Sequence, residues 1–442
     1  MSASSFLRRL FSRNRAGIDQ RTGYLLSLCE SLLGERGETS GQALAREALA
    51  VYKTLDERCR AEFFDILAKD YSPDPEIVGR AADAYRLHPT PEHLVRLQKT
   101  VEPARQELFR RLNMAPGATA ALIEMRRHVL EDEAQHPHWM VIDADLLHLL
   151  RSWFNRGFLR LERIDWHTSA IVLEKLIEYE AVHAIQGWRD LRRRLEADRR
   201  CFAFFHPQLP DEPLIFIEVA LTRGMSAHVQ PLLEIGSSVE TAEEADSAMF
   251  YSITNCQEGL RGISFGNLLI KQVVAELKRE FPHLRTFATL SPVPGFRRWL
   301  DKTRVRLARG SEGEKRLALL ERIERPECHK RELPASLMQL LLQLGAWYLL
   351  NAKKGEEPMD AVARFHLGNG AALERLNWLG DTSESGMARS AGMMVNYVYR
   401  LGDVERNHER YFKQHLVVAS RALGRLAREC PLAAPAARSA GA

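Results

Sequence analysis

The sequence lacks the features that mark nucleic-acid-binding and membrane-spanning proteins. Its 442 residues carry a formal net charge of only +4, and its densest basic run, Arg189 to Arg200, is interrupted by acids. Because a nucleic-acid partner requires a clustered basic face, no such partner is expected. No run approaches the roughly 18 apolar residues that a membrane-spanning helix needs, so we also expect no membrane partner.

Cysteine and histidine offer little for cross-links or metals. The six cysteines are scattered and form no C-x-x-C pair, which is typical of a reducing compartment. The close groupings of metal-ligating residues are His136 with His138 and Cys328 with His329; neither has a helical i,i+4 partner, so we predict no metal. A cytoplasmic location follows. The alternative is mitochondrial, because the stretch before Asp19 is rich in Arg and Ser and has no acid.

Length and apolar periodicity predict a helical domain in the first third of the chain. Between tails at 1–18 and 429–442, residues 19–152 show apolar positions at three- and four-residue spacing, as in "GQALAREALAVYKTLDERCRAEFFDILAKDY". This region contains no catalytic cluster. We therefore predict an all-helical bundle that joins subunits into a homo-oligomer, a dimer or a tetramer.

Residues 153–428 contain β-strand patterns. Two apolar runs, Cys201 to Phe205 and Leu214 to Leu221, are predicted to form a hairpin. Further on, "SAMFYSITNCQEGLRGISFGNLLIKQVVAELKREFPHLRTFATLSP" predicts a strand, a glycine-rich loop, a helix from Asn267 to Phe281 and a second, parallel strand. The carboxyl ends of parallel strands share one sheet edge, where ligands bind in α/β folds. Ser291 is predicted to lie at that edge.

The glycine-rich loop is a candidate phosphate site. Gly259, Gly262 and Gly266 allow backbone N-H groups to converge before a helix, although an ordinary glycine-rich turn would look the same. The spacing fits neither a Walker P-loop nor a Rossmann fingerprint. In its setting between strand and helix, the loop resembles the pyrophosphate loop of the Gcn5-related acetyltransferase (GNAT) fold, which holds coenzyme A. Ser291 would then face the thioester end of an acyl-CoA.

A second candidate segment, Ala361 to Arg400, is unusually rich in amides and small residues. It contains His366 in "FHLGNG", between an apolar residue and a predicted turn. The alternative to a catalytic role is a structural one: His366 would be a hydrogen-bonded core histidine, and Ser291 would begin a Ser-Pro turn.

The segments "FYSITNCQEGLRGISFGN", "LKREFPHLRTFATLSPVPGF", "ARFHLGNGAALERLNW" and "AGMMVNYVYRL" closely resemble the malonyl-CoA decarboxylase family. The resemblance extends from Trp153 to Phe412, and its motifs occur in the family's order. It implies an α + α/β protein: an N-terminal all-α helical bundle followed by an acetyltransferase-like (GNAT) α/β catalytic domain.

The resemblance also implies roles for individual residues. Ser291 matches the catalytic serine, which acts as proton acceptor or carboxylate partner, and His366 matches the proton donor. Asn377 and Tyr399 are assigned supporting roles. The malonyl-CoA-binding loop corresponds to Arg261, Gly262, Ile263, Ser264, Phe265, Gly266 and Asn267. At Ser264 the sequence departs from animal members, which carry an acidic residue there. Any role of that carboxylate in the animal enzymes therefore has no matching residue at this position.

The implied reaction is decarboxylation of malonyl-CoA to acetyl-CoA and carbon dioxide. It requires no metal or organic cofactor, because the electrons released at C2 delocalise into the thioester carbonyl. His366, with an unperturbed pKa of about 6.5, would protonate the enolate. The alternatives are an acyl-CoA N-acetyltransferase, which would consume acetyl-CoA in the presence of an amine, and a non-catalytic acyl-CoA sensor, which would bind without turnover.

Overall fold

The computed structural model describes residues 17–35, 37–263, 268–309, 311–324, 330 and 332–433. They divide into two compact units. The first comprises the described chain up to Arg160 with Phe205–Glu212 and residues 257–263. The second comprises Leu161–Phe204, Pro213–Cys256 and the described residues from 268 onward. Residues 1–16 and 434–442 of the predicted tails lie outside the described residues.

The first unit is helical, as predicted. Polar caps and prolines define several helix starts: Asp56 accepts the N-H of Cys59, and Thr90 caps a helix that begins with Pro91. The core is filled by side chains at helical spacing, among them Phe63. The helices are α1 Gln20–Gly34, α2 Glu38–Lys53, α3 Glu57–Asp70, α4 Pro75–Leu87, α5 Pro91–Val101, α6 Ala104–Leu112, α7 Ala118–Asp132 and α8 Met140–Trp153.

The second unit is built on a mixed β-sheet. The strands are β1 Arg160–Ile164, β2 Arg199–Phe205, β3 Ile215–Thr222, β4 Ser247–Asn255, β5 Thr286–Thr289, β6 Ser291–Pro292, β7 Lys353–Lys354, β8 Glu357–Pro358, β9 Ala372–Asn377 and β10 Met394–Val398. In the main sheet the order is β1-β2-β3-β4-β5-β10-β6, with β9 paired to β10. β7 and β8 form a separate small sheet. The predicted hairpin is confirmed as β2 and β3, which are antiparallel.

Helices connect and follow the strands of this sheet, and β2 is buried along its whole length. Strands that are covered on both faces are uniformly apolar, as "CFAFF" is. The helices are α9 Ala170–Tyr179, α10 Trp188–Arg194, α11 Gln230–Leu233, α12 Leu268–Glu280, α13 Phe296–Leu307, α14 Gly313–Leu320, α15 Ala335–Asn351, α16 Ala361–Gly368, α17 Glu384–Ser390, α18 Val404–Gln414 and α19 Arg421–Arg428. None of the helices in the described part of the chain is long and apolar enough to cross a membrane.

The parallel pair β4 and β5 separates near its carboxyl end. Pairing runs from Ser247 opposite Thr286 to Phe250 opposite Thr289, and α12 connects the two strands. β4 then continues to Asn255, whereas the chain beyond β5 turns to pair with β10 through β6. This confirms the predicted strand-helix-strand unit. The separation of the two strands leaves space between them at the sheet edge.

Candidate active site

A cavity of about 250 Å³ occupies the space where β4 and β5 separate. Apart from one histidine, its described lining carries no ionisable side chain that would be charged near neutral pH. The lining residues are Val182, Phe250, Tyr251, Ser252, Ile253, Asn255, Ser291, Pro292, Ala361, Val362, Phe365 and His366. The structure therefore brings Ser291 and His366, which are 75 residues apart, to one cavity wall.

Ser291 lies at the predicted sheet edge. It follows β5 after one residue, Leu290, and pairs with Val395 of β10, which holds its backbone in a strand conformation. The side chain is buried, and its Oγ lies 3.0 Å from the Nε2 of His366. Pro292 follows it in β6 and also lines the cavity. The hydroxyl is thus fixed by the sheet rather than by a mobile loop.

His366 projects from the last turn of α16. The carboxylate of Asp360 caps this helix by accepting the N-H of Ala363 at 2.9 Å. The imidazole is buried, its Nδ1 lies 2.8 Å from the hydroxyl of Tyr399, and its ring stacks on Tyr397 at 4.5 Å. Hydrogen bonds at both ring nitrogens and the stacked ring of Tyr397 on one face therefore fix the orientation of the imidazole.

The hydrogen bonds define one consistent protonation pattern. Burial lowers the pKa of His366 to about 3, so the imidazole is neutral near pH 7. Ser291 donates its hydroxyl proton to the Oγ1 of Thr289 at 2.9 Å, so its oxygen accepts from the Nε2-H of His366. The Nδ1 must then accept from Tyr399. Burial raises the pKa of Tyr399 well above its usual value, which keeps that phenol protonated.

Thr289 is a site residue that the sequence analysis missed. It is fully buried, and its Oγ1 accepts from both Ser291 and the backbone N-H of Tyr397, the latter at 3.3 Å. The available signal was the Thr-x-Ser spacing in "FATLSP", because residues two apart in a strand share one face. That spacing is too common in strands to single out a site.

Ser252 of the cavity wall was also missed. Its hydroxyl donates to the two carboxylate oxygens of Glu180 at 2.9 and 2.8 Å. The same carboxylate accepts the hydroxyl of Thr254 and the backbone N-H groups of Val182 and His183. Glu180 does not line the cavity, and this group of donors satisfies its charge behind the wall.

The start of the predicted substrate loop belongs to the helical unit. The buried guanidinium of Arg126 donates to the carbonyls of Gly259 and Arg261 at 2.7 and 2.8 Å. A Cβ on Gly259 would lie 2.0 Å from the carbonyl oxygen of Ile123, so only glycine fits there. Gly262 has a φ of +83°, a backbone region that favours glycine.

The rest of this loop, Ser264, Phe265, Gly266 and Asn267, lies outside the described residues. Ile263 is buried within the helical unit. The predicted malonyl-CoA contacts of the segment Arg261 to Asn267 stay a prediction.

Asn377 lies apart from the cavity. It stands at the end of β9, and its amide nitrogen donates to the Oδ1 of Asn396 at 2.8 Å. Asn396 in turn donates to the carbonyl of Thr289 at 2.8 Å. Asn377 therefore contacts the site residues only through Asn396, whereas Tyr399 contacts His366 directly.

Comparison with protein families covers almost the whole chain beyond residue 71. The malonyl-CoA decarboxylase C-terminal domain matches residues 157–437, and the N-terminal domain of the same enzymes matches residues 71–154. The chain belongs to the malonyl-CoA decarboxylase family. The resemblance found in the motifs is thereby confirmed.

Two family members from animals are similar over most of their length. The protein named malonyl-CoA decarboxylase, mitochondrial, of Anser anser anser is 35% identical over 420 residues, which cover 87% of this chain and 83% of the relative. The protein of the same name from Rattus norvegicus is 33% identical over 422 residues, covering 88% and 86%. These relatives are named mitochondrial; the predicted cytoplasmic location of this chain stays a prediction.

Solved structures of the family share the fold. The crystal structure of malonyl-CoA decarboxylase from Rhodopseudomonas palustris is 50% identical, has a TM-score of 0.87 and covers 91% of this chain and 99% of its own. The one from Agrobacterium vitis is 47% identical with a TM-score of 0.84, covering 91% and 99%. The predicted fold class, an all-α N-terminal part followed by an acetyltransferase-like α/β domain, is confirmed.

Proposed function

We propose that this protein decarboxylates malonyl-CoA to acetyl-CoA and carbon dioxide, with Ser291 and His366 as the catalytic pair. The observation that carries this proposal is the contact of 3.0 Å between Ser291 Oγ and His366 Nε2 in the wall of the cavity. Family membership supports malonyl-CoA as the substrate.

The uncharged cavity favours loss of the carboxylate. A malonyl carboxylate that enters this space gives up its hydration and meets no lysine or arginine among the described lining residues. Breaking the bond between the carboxyl carbon and C2 releases neutral carbon dioxide, and the electron pair moves into the thioester carbonyl. Fixing the carboxylate out of the thioester plane aligns that bond with the π system. These steps require no metal or organic cofactor.

Hydrogen-bond donors at the strand separation stabilise the enolate oxygen. Because β5 no longer pairs with β4 beyond Phe250, we assign this role to those backbone N-H groups of β4 past that point that are not bonded to β3. Asn377, to which the resemblance gives a supporting role, already donates its amide to Asn396. The hydroxyl of Ser291 orients His366 and faces the carboxylate.

His366 delivers the proton to C2, and we propose that it acquires this proton as the substrate binds. In the free protein burial holds its pKa at about 3. An anionic carboxylate beside the ring favours the imidazolium and raises the pKa again. Transfer from Nε2 to C2 then returns His366 to the neutral form. One proton is consumed for each carbon dioxide released, which balances the reaction.

Turnover tests the function and the pair together. The purified chain is incubated with malonyl-CoA, and acetyl-CoA and carbon dioxide are followed, with Ser291→Ala and His366→Ala alongside. We expect turnover by the wild type and a loss in kcat of ~10² to 10⁴ in His366→Ala. A matched control is His206→Ala, which removes another buried histidine, one that belongs to the helical unit.

Each outcome separates the alternatives. A loss of less than about tenfold in His366→Ala would exclude the proton donor. Binding of coenzyme A without turnover would favour the sensor, and consumption of acetyl-CoA with an amine would favour the acetyltransferase. The proton taken up on binding is measured by calorimetry in two buffers at pH 7 with Ser291→Ala. We expect the variant to take up close to one proton when it binds malonyl-CoA and none when it binds acetyl-CoA. Equal uptake with the two ligands would contradict the proposal that substrate binding protonates His366.

Self-association through the helical unit remains part of the proposal. Leu87 on α4 and Val95 on α5 are 68% and 47% exposed, and such apolar side chains favour burial against another chain. Light scattering of the wild type and of Leu87→Asp tests this. A monomeric wild type would exclude the oligomer.

A further inference from the structure

We propose that Asp65, His136 and His138 form a binding site for a divalent transition metal on the helical unit. Among the residues that the structure describes, they are the one group of metal-ligating side chains whose ligand atoms all lie within 4.8 Å of one another. Asp65 lies on α3, and the two histidines flank Pro137 just before α8. This site departs from the prediction of no metal, which considered the histidines alone.

The distances fit a small cation. His138 Nε2 and His136 Nδ1 lie 2.7 and 3.9 Å from the Oδ1 of Asp65. Zinc binds such ligands at about 2.0 to 2.2 Å, so neighbouring ligand atoms of a tetrahedral site are about 3.3 Å apart. The two observed distances lie on either side of that value. Asp65 and His138 are half-exposed, which lets the ring of His138 adjust and leaves room for a water as fourth ligand.

Buried aromatic side chains support the ligands from behind. Trp139 is buried, and its indole N-H donates to the Oδ1 of Asp65 at 2.8 Å. Its ring stacks on His136 with centroids 4.1 Å apart and planes 7° from parallel. Phe64 packs against the same indole at 5.0 Å. Metal-ligating carboxylates are usually held by such outer hydrogen bonds, so the group is preorganised.

The donor set selects the class of metal. Two imidazoles and one carboxylate suit Zn²⁺, Co²⁺ or Ni²⁺, whereas Mg²⁺ and Ca²⁺ prefer all-oxygen ligands. A bound ion would tie α3 to the start of α8 across a separation of 73 residues between Asp65 and His138. Closing a long loop in the native state and binding only that state both raise stability.

The test uses the full chain, free of tags and stripped of metal. Zinc and magnesium are titrated by calorimetry, and thermal unfolding is followed with and without each ion. Asp65→Asn retains an acceptor for Trp139 but removes the charge, and His138→Ala removes one ligand. The matched control is the double variant His88→Ala/His93→Ala, which removes one exposed and one partly exposed histidine that belong to no such group.

We expect one zinc ion per chain, an affinity at least tenfold lower in both ligand variants, and an unchanged affinity in the control. Zinc should raise the unfolding midpoint of the wild type by about 2 to 4 °C, and magnesium should not. Cobalt should give the visible absorption of a tetrahedral site. A thermal unfolding transition measured for each variant in the absence of metal verifies that the variant is folded. Equal zinc binding by the wild type, Asp65→Asn and His138→Ala, or no zinc binding at all, would overturn the site and leave an ordinary Asp-His hydrogen bond.

Discussion

The helical unit and the cavity of the α/β unit differ in how they satisfy buried polar groups, although buried arginine–carboxylate pairs occur in both units, Arg194 with Glu218 being one in the α/β unit. In the helical unit they are charged pairs: Arg126 binds Asp143 at 2.7 Å, and Arg105 binds Asp145. In the cavity of the α/β unit the polar side chains of the described lining are neutral. Ser291 and His366 bond to each other, and each bonds to a further neutral side chain outside the lining, Thr289 and Tyr399 respectively. A buried charge needs a fixed partner of opposite sign, whereas the cavity holds no charge until a carboxylate enters and, as proposed above, favours protonation of His366.

The largest expected effect is on the charged pair of the helical unit. Arg126→Met leaves the mostly buried Asp143 without its partner, so we expect the free energy of unfolding to fall by about 3 to 5 kcal/mol. Urea unfolding measures the change. Arg126→Met/Asp143→Leu should recover part of the loss, because no buried charge is then left unpaired. Removing the exposed ion pair between Asp83 and Arg86 should lower the free energy of unfolding by less than about 1 kcal/mol. Equal losses at the two pairs would contradict the comparison.

The neutral cavity predicts a pH dependence of stability. The pKa of His366 falls from an ordinary value near 6.5 in the unfolded chain to about 3 in the folded one. Below pH 6.5 the unfolded state therefore binds a proton that the folded state does not, and stability falls as the pH falls towards 3. For this one group, the free energy of unfolding changes by at most about 1.4 kcal/mol per pH unit. His366→Gln should flatten the profile between pH 6 and about 4; an unchanged profile would indicate that the folded histidine is already protonated.

The smallest expected effect concerns Thr289, which we regard as a positioning residue. Thr289→Val keeps the shape but removes the acceptor for Ser291, so that serine loses one of its two fixed partners. We expect kcat to fall about tenfold with little change in KM, since a neutral hydrogen bond contributes ~0.5 to 1.5 kcal/mol. Thr289→Ser should restore most of the rate. If the role of Thr289 were purely structural, Thr289→Val and Thr289→Ser would both have a lower unfolding midpoint than the wild type, and their kcat values would not differ from each other.

The local parts of the fold could be predicted from the sequence. The hairpin of β2 and β3, the strand-helix-strand unit and the edge position of Ser291 follow from periodicity and from connections that are short in sequence. The role of Thr289 could not be predicted, because its partner Ser291 matters only once His366 is placed beside it. The metal-ligating group was missed for the same reason: Asp65 is remote in sequence from both histidines.

By itself, the sequence determined the helical first third, the order of strands and helices around the glycine loop, and the family. These depend on spacing and on motifs that are continuous in the chain. Only the tertiary structure decided that β10 lies between β5 and β6, which brings Ser291, His366 and Tyr399 into one hydrogen-bonded group. It also decided the protonation of His366, because the pKa of an imidazole depends on burial, and burial is a property of the packed fold.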